Sequence, residues 1–377
     1  MKKIQMVDLQ GQYESIKDQI NNSLQEIMNT SAFINGPEVQ NFQKELEEYL
    51  GVKHVIPCAN GTDALQIAMM GLGLKPGDEV ITADFTFAAT VEVIALLQLT
   101  PVLVDVDPET FNIDPEAIRK AITPKTKAIV PVHLFGQTAD MNAIMEIAKA
   151  HDLYVIEDNA QAIGANFHSK EAKTYKTGTI GHVGSTSFFP SKNLGCYGDG
   201  GAIFTNDDEL AHTLRGIVNH GMYERYHHDV VGVNSRLDSF QAAVLRAKLP
   251  KLDIYNEARK AAAFRYNDAL KDQEYIKIPV RSEDCDTHVF HQYTLKITNG
   301  KRDALVKHLN ENNIPCGVYY PIPLHNQKAY KDSRYNEADF PVTNQLVKEV
   351  ISLPMHTELD NEQIDHITKT IIQFVNN

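Results

Sequence analysis

Cysteine is scarce in this chain. Four occur in 377 residues, Cys58, Cys196, Cys285 and Cys316, and no two form a Cys-x-x-Cys pair. That spacing excludes a zinc ribbon and points to reduced thiols of the kind a cytosolic protein keeps. Long apolar runs are missing too. No uninterrupted stretch approaches the ~20 residues of a membrane helix. Met1-Lys2-Lys3-Ile4-Gln5 lacks the apolar core of a signal peptide. A soluble, cytoplasmic protein with no membrane partner is expected. Positive charge is in deficit: 36 Lys and Arg face 49 Asp and Glu, a formal charge of −13. Non-specific nucleic-acid binding is thereby disfavoured, and the acidity speaks mainly to solubility. No internal repeat or low-complexity tract occurs. No carboxylate–histidine helical spacing supports a metal site.

What is present is ordinary globular composition, 43% hydrophobic and 23% charged, at a length that suggests two or three core units. Residues 12–29 and 38–50 read as helices on either side of the break Asn35-Gly36-Pro37. Strand and helix then alternate: strands at 54–57, 79–82, 101–106, 127–132 and 153–157, and helices at 63–73, 87–98, 115–122 and 139–150. This spacing argues for a parallel sheet covered on both faces. Two apolar segments, 183–189 and 201–205, have no helix between them, so they are either an antiparallel insertion or an edge of the same sheet. From about 207 the texture changes. Helices are expected at 208–218, 237–271 and 301–312, with strands near 275–280, 289–297 and 315–319. The expected division is residues 1–250, N-terminal helices and a large α/β domain, and 251–377, a smaller α+β domain.

In doubly wound sheets ligands bind at the carboxyl ends of the strands. Gly61-Thr62, Phe85 to Phe87, His133, Asp158 and Lys192 each follow a strand-like run, so one fold brings them to one edge. Lys192 is the most informative. It closes Ser187-Phe188-Phe189-Pro190-Ser191-Lys192 between two apolar runs, and lysine is rarely buried unpaired. Partly desolvated, its amine loses its proton and can attack a carbonyl to form a Schiff base. Asp158 ends another apolar run. A Schiff-base lysine and a strand-end acid are what pyridoxal phosphate requires, an imine at its aldehyde and a carboxylate against its pyridinium nitrogen. By itself Asp158 reads sooner as an acid capping the next turn. Gln161, three residues on, is placed to reach the ring oxygen of the same ligand. Gly61 and Thr62 open a helix and offer free amides and a hydroxyl to a phosphate, or are a plain N-cap. Phe87 is a stacking face or core packing, and Phe85 reads as core. Ser187 is a phosphate contact or a strand edge. Cys196 reads as a small buried residue. Arg225-Tyr226-His227-His228 is a polar loop. Arg236 beyond it is a bidentate partner for a substrate carboxylate, or half of an ion pair at a helix start.

Taken in order, these segments resemble the DegT/DnrJ/EryC1/StrS family of sugar aminotransferases, end to end. The resemblance runs through Asn35-Gly36-Pro37-Glu38-Val39, Asn60-Gly61-Thr62-Asp63-Ala64-Leu65, Glu157-Asp158-Asn159-Ala160-Gln161, Ser187 to Lys192 and Gly198-Asp199-Gly200-Gly201-Ala202. It continues through Asn234-Ser235-Arg236-Leu237-Asp238 and Tyr320-Pro321-Ile322-Pro323-Leu324-His325. It implies fold type I, a homodimer with shared active sites, and pyridoxal 5'-phosphate as cofactor. Lys192 would carry the cofactor's imine and move the proton, and Asp158 would pair with the ring nitrogen. Gln161 would lie by the ring hydroxyl, with Phe87 stacked on the ring. Gly61, Thr62 and Ser187 would hold the phosphate, with Asn234 reaching it from the neighbouring subunit. Arg236, Tyr320, His325 and His228 are the expected substrate contacts. Members that dehydrate the sugar carry histidine in place of this lysine, so Lys192 favours amino transfer from L-glutamate to a nucleotide-linked keto-sugar. Asn159 departs from the common pattern, where alanine stands. Within the family the chain closely resembles the branch acting on UDP-2-acetamido-2-deoxy-3-oxo-D-glucuronate, which serves O-antigen and other surface polysaccharides. Another 3- or 4-keto dTDP- or UDP-sugar is the alternative.

Overall fold

The computed structural model describes residues 2–279 and 285–376. Three N-terminal helices, α1 (Leu9–Glu14), α2 (Lys17–Thr30) and α3 (Pro37–Leu50), precede β1 (His54–Cys58). Alternation follows with α4 (Gly61–Gly71), β2 (Glu79–Ala83), α5 (Ala89–Leu96), β3 (Thr100–Val104), α6 (Pro115–Ala121), β4 (Thr126–Val130), α7 (Met141–His151) and β5 (Tyr154–Asp158). A short antiparallel pair, β6 (Asn166–His168) and β7 (Thr174–Lys176), leads to β8 (Val183–Ser187), β9 (Gly201–Thr205) and α8 (Asp208–Ile217). A second short pair, β10 (Met222–Glu224) and β11 (His227–His228), precedes α9 (Ser239–Lys248) and α10 (Leu252–Leu270). The chain ends with β12 (Ile276–Lys277), β13 (Tyr293–Ile297), α11 (Arg302–Glu311), α12 (Pro341–Glu349), β14 (Val350–Leu353) and α13 (Asn361–Val375).

Seven strands form one sheet in the order β1-β9-β8-β5-β4-β2-β3. Only β9 runs against the others, pairing antiparallel with β8 on one side and β1 on the other. The second apolar segment is therefore an antiparallel insertion inside the sheet. Alternate side chains of each strand go to opposite faces. Ile81, Ile129 and Val155 pack on Met141, Ile144 and Ile147 of α7. Val80, Val130 and Ile156 pack on the other side with Leu65 and Ile67 of α4 and Ile94 of α5. Burial on both faces explains why these strands read as continuous apolar runs. A separate core joins α10, α11 and α13 to the antiparallel sheet β12-β13-β14, with Tyr266, Tyr293, Leu305 and Ile367 fully buried.

Three expected elements come out differently. The first helix is two, because the chain bends at Ser15-Ile16 between α1 and α2. The long helix 237–271 is broken by a 3-10 turn at Leu249–Lys251, where Pro250 has no N–H to continue the α-helical ladder. The strand at 315–319 is reduced to one bridge, Gly317 to Ser352, and β14 takes the place beside β13. Of the strand expected near 275–280, Ile276–Lys277 forms; residue 280 lies outside the described residues. Cys58, Cys196 and Cys316 carry free thiols, and the expectation for the Cys285 side chain lies outside the described residues.

Candidate active site

β1, β2, β5 and β8 run in one direction, so their carboxyl ends open on one edge of the sheet. A cavity of about 640 Å³ lies there. Gly61, Thr62, Phe87, Asp158, Gln161, Ser187, Lys192 and Tyr320 all line it.

Lys192 sits on a turn whose backbone is tied down on every side. Its own amide donates to the Phe189 carbonyl at 2.9 Å, and the Cys196 amide to the Phe188 carbonyl at 2.8 Å. The buried Lys248 amine donates to the Gly195 carbonyl at 2.7 Å. Asn193 Nδ2 donates to Asn256 Oδ1 at 2.8 Å and to the Val289 carbonyl at 3.0 Å. Desolvation lowers the Lys192 amine from its ordinary 10.5 to about 8, against the opposing pull of the Asp158 charge. A fixed turn thus presents an amine that is easily neutral.

Asp158 is the last residue of β5. Its Oδ2 accepts from Thr90 Oγ1 at 2.8 Å and its Oδ1 from the Ala160 amide at 3.1 Å. Gln161 Oε1 accepts from the Phe135 amide at 2.7 Å, while its Nε2 donates to the Tyr320 hydroxyl at 3.2 Å. Both groups are oriented from behind, with their faces toward the cavity.

At the other end, Asn60 caps α4: its Oδ1 accepts from the Asp63 amide and its carbonyl from the Ala64 amide. The first two helical amides, of Gly61 and Thr62, are left for a ligand at the positive end of the helix. A Cβ on Gly61 would stand 2.7 Å from Ser187 Cβ, so helix start and strand end meet as one cradle only because residue 61 is glycine. Phe87 is 58% exposed whereas Phe85 is 1% exposed, packed among Phe111, Phe135 and Tyr320.

These residues fit the cofactor that the resemblance implies. Anion seat, exposed ring face, strand-end carboxylate and desolvated amine are one each and share one cavity. Lys192 would hold the aldehyde carbon, Asp158 the ring nitrogen, and the Gly61–Ser187 cradle the phosphate.

His133 does not join them. It is wholly buried, its Nε2 donating to Glu157 Oε2 at 2.9 Å and its Nδ1 accepting from the Ala139 amide. His325, expected as a substrate contact, is turned away from the cavity, 4% exposed, against Asp84. Asn234 and Arg236 also lie off this cavity. They flank buried Ser235, whose hydroxyl donates to Asp63 Oδ2 at 2.6 Å and accepts from the Ala59 amide. Asn234 is exposed and Arg236 half-buried. His228 is exposed on β11, its Nδ1 donating to the His220 carbonyl at 2.8 Å. His291, Gln292, Tyr319 and Asp199 line the cavity without having been expected there, and Thr90 orients Asp158. Thr90 leaves one trace in the sequence, a polar residue in the otherwise apolar start of α5. The others leave none, because strands and loops far apart in the chain bring them together.

Known proteins resemble this chain over nearly its whole length. The UDP-2-acetamido-2-deoxy-3-oxo-D-glucuronate aminotransferase of Pseudomonas aeruginosa is 48% identical over 364 residues, 96% of this chain and 97% of that one. A pleiotropic regulatory protein of Geobacillus stearothermophilus is 47% identical over 373 residues, 98% of each chain. The crystal structure of S. venezuelae DesV in complex with a ketimine intermediate matches with a TM-score of 0.95 at 36% identity, over 100% of both chains. With residues 14–372 matching the family as well, the chain belongs to the DegT/DnrJ/EryC1/StrS aminotransferases.

Proposed function

We propose that this protein is a pyridoxal-phosphate aminotransferase that moves the amino group of L-glutamate to the 3-keto group of a UDP-linked sugar, UDP-2-acetamido-2-deoxy-3-oxo-D-glucuronate. The observation that carries the reading is the convergence of Lys192, Asp158, Phe87 and the Gly61–Ser187 cradle on one cavity. When bound, the cofactor supplies an electron sink that stabilises a carbanion at the carbon bearing nitrogen. This chain's residues do the rest. Asp158, fixed by Thr90, keeps a proton on the ring nitrogen. Lys192, once free, is the general acid/base on the cavity wall, and its lowered pKa lets it take a proton near neutral pH. The buried walls of Phe135 and Val132 and the half-buried Tyr320 limit water at that face.

The sugar is supported by the Pseudomonas relative's name and by Arg236, a bidentate donor suited to a uronate carboxylate. Among the described residues, Lys192 is the only Lys or Arg lining the cavity. Asn234 and Arg236 stand outside it, which fits a homodimer in which each copy completes the other's site. A role in O-antigen or other surface-polysaccharide synthesis in the cytoplasm belongs to the same reading. So does a division near 250/251, supported by the break at Pro250 and the separate C-terminal core. The alternatives are a different keto-sugar, a dehydratase, which Lys192 disfavours, and a non-catalytic sensor; the Geobacillus relative is named a pleiotropic regulatory protein.

One experiment separates them. The holoprotein should show an absorbance band of the lysine-bound cofactor that L-glutamate bleaches and a 3-keto UDP-uronate restores. A band that glutamate does not bleach would indicate a regulator. Restoration by neutral keto-sugars alone would move the substrate to another branch.

A further inference from the structure

Two arcs far apart in sequence line the cavity next to each other. One is Thr86–Phe87, after β2. The other is Val318 to Pro321. The second arc starts at the Gly317–Ser352 bridge, where two backbone bonds of 3.0 and 2.7 Å hold it to β14. Its far end is held by Asp84, the residue immediately before Phe85. The Asp84 carbonyl accepts from the Leu324 amide at 3.2 Å, and Asp84 Oδ1 from the His325 amide at 2.8 Å. His325 Nδ1 donates to Asp84 Oδ2 at 2.6 Å. The His325 ring lies flat on Phe340, centroids 4.3 Å apart at 11°. Asp84 is 1% and His325 4% exposed, so the grip is dry, charge-assisted and directional. Between the two anchors, the Tyr320 hydroxyl meets Gln161 and its ring stands 6.2 Å from Phe87.

We propose that Asp84 and His325 are positioning residues that hold the Tyr319–Pro321 arc at a set distance from Phe87, and so select the sugar substrate without touching it. The proposal rests on the function proposed above. Glutamate is small and reacts beside Lys192. A nucleotide-sugar is several times longer and extends along this second wall, so it feels the position of the arc more. Removing the grip therefore penalises the sugar half of the reaction and spares the glutamate half. A pair that merely stabilised the fold would penalise both equally.

The test uses holoenzyme carrying His325→Phe, which keeps the ring on Phe340 and loses Nδ1, His325→Asn, which restores a donor, and Asp84→Asn. Cofactor bleaching by glutamate, KM for the keto-uronate, and calorimetric binding of UDP-N-acetylglucosamine are measured for each. For His325→Phe we expect glutamate bleaching within about twofold of the parent. We expect KM to rise and UDP-N-acetylglucosamine binding to weaken by roughly tenfold to 100-fold, the scale of an ångström misplacement. His325→Asn should recover most of the loss. Equal losses on both substrates, or an unchanged KM and binding in folded variants, overturn the proposal. So does failure of both His325→Phe and Asp84→Asn to fold, which makes the pair a folding contact. If the parent binds UDP-N-acetylglucosamine but aminates nothing, the functional reading fails and the variants' binding alone decides the pair. A parent that binds no UDP-sugar overturns both.

Discussion

Glu157 and Asp158 are consecutive carboxylates of β5 with opposite tasks. Glu157 is wholly buried, and it accepts from the Gly178, Ile180 and Gly181 amides at 2.8, 2.7 and 2.6 Å and from His133 Nε2 at 2.9 Å. Asp158, one residue on, faces the cavity and takes the Thr90 hydroxyl. Strand alternation sends the two to different sides. One staples the 178–181 turn to the sheet, and the other lines the cavity.

The two carboxylates should therefore fail differently. Glu157→Ala leaves three amides and a histidine without their buried acceptor, which should cost about 3 kcal/mol or more of stability. Asp158→Asn should fold with little change and lose roughly two orders of magnitude or more in kcat, the scale of losing one preorganised contact to developing charge. Denaturant melts and steady-state kinetics check both. A destabilised Asp158→Asn that retained full kcat would reverse the assignment.

Lys192 ties pH to stability in the cofactor-free protein. Unfolded, the amine holds its proton up to about 10.5; folded, only to about 8. Between those values the unfolded chain binds more protons, so stability rises with pH. At pH 7 the desolvation penalty is fully present. Lys192→Met should abolish turnover yet raise the stability of the apoprotein at pH 7 by about 2 kcal/mol, an advantage that shrinks as pH climbs from 8 toward 10. Melts at pH 7 and pH 10 measure it, and a Met variant weaker than the parent at pH 7 contradicts a desolvated lysine.

Gly61→Ala tests the anion cradle. The new Cβ would meet Ser187 Cβ at 2.7 Å and Ser187 Cα at 3.2 Å, so the start of α4 must retreat from β8. Cofactor affinity should fall about tenfold or more, equivalent to ~1.4 kcal/mol. Spectral titration of the apoprotein reads the Kd directly, and an unchanged value removes Gly61 from the phosphate seat.

Shared sites predict complementation. Lys192→Ala and Arg236→Ala chains are each expected to be inactive on the keto-uronate. In a two-fold dimer a mixed pair holds one site with both residues intact, so equimolar reassociation should recover roughly a quarter of the parent activity. No recovery would mean that Arg236 serves its own chain. Arg236→Ala should also hurt a uronate far more than a neutral keto-sugar, and equal losses would remove it from the carboxylate.

Much of the frame was legible. The period of apolar residues located the strands from 54 to 157 closely, because strands buried on both faces leave uninterrupted apolar runs. Breaks were less legible. A continuous apolar face carries the helical reading through Pro250, and only the missing N–H there ends it. Position 317 sits in an apolar stretch that reads as a strand, yet β14 offers better pairing to β13. At the site, Lys192, Asp158, Gly61 and Ser187 stood out because a charge, a glycine or a hydroxyl at a strand end is unusual. His291 and Gln292 did not, since nothing near them in the chain marks them, and Thr90 showed only as a polar residue in an apolar helix start.

The sequence by itself determined the alternating α/β architecture, the odd placement of Lys192 after an apolar run, and the family, because periodicity and strand-end chemistry are local properties. The tertiary structure alone decided that Glu157, next to Asp158, staples the 178–181 turn, and that His133 and His325 lie off the cavity. It also decided that Asn234 and Arg236 stand outside their own chain's cavity. Those outcomes depend on which face a side chain takes and on what distant segment meets it there, and neither is written in the neighbouring residues.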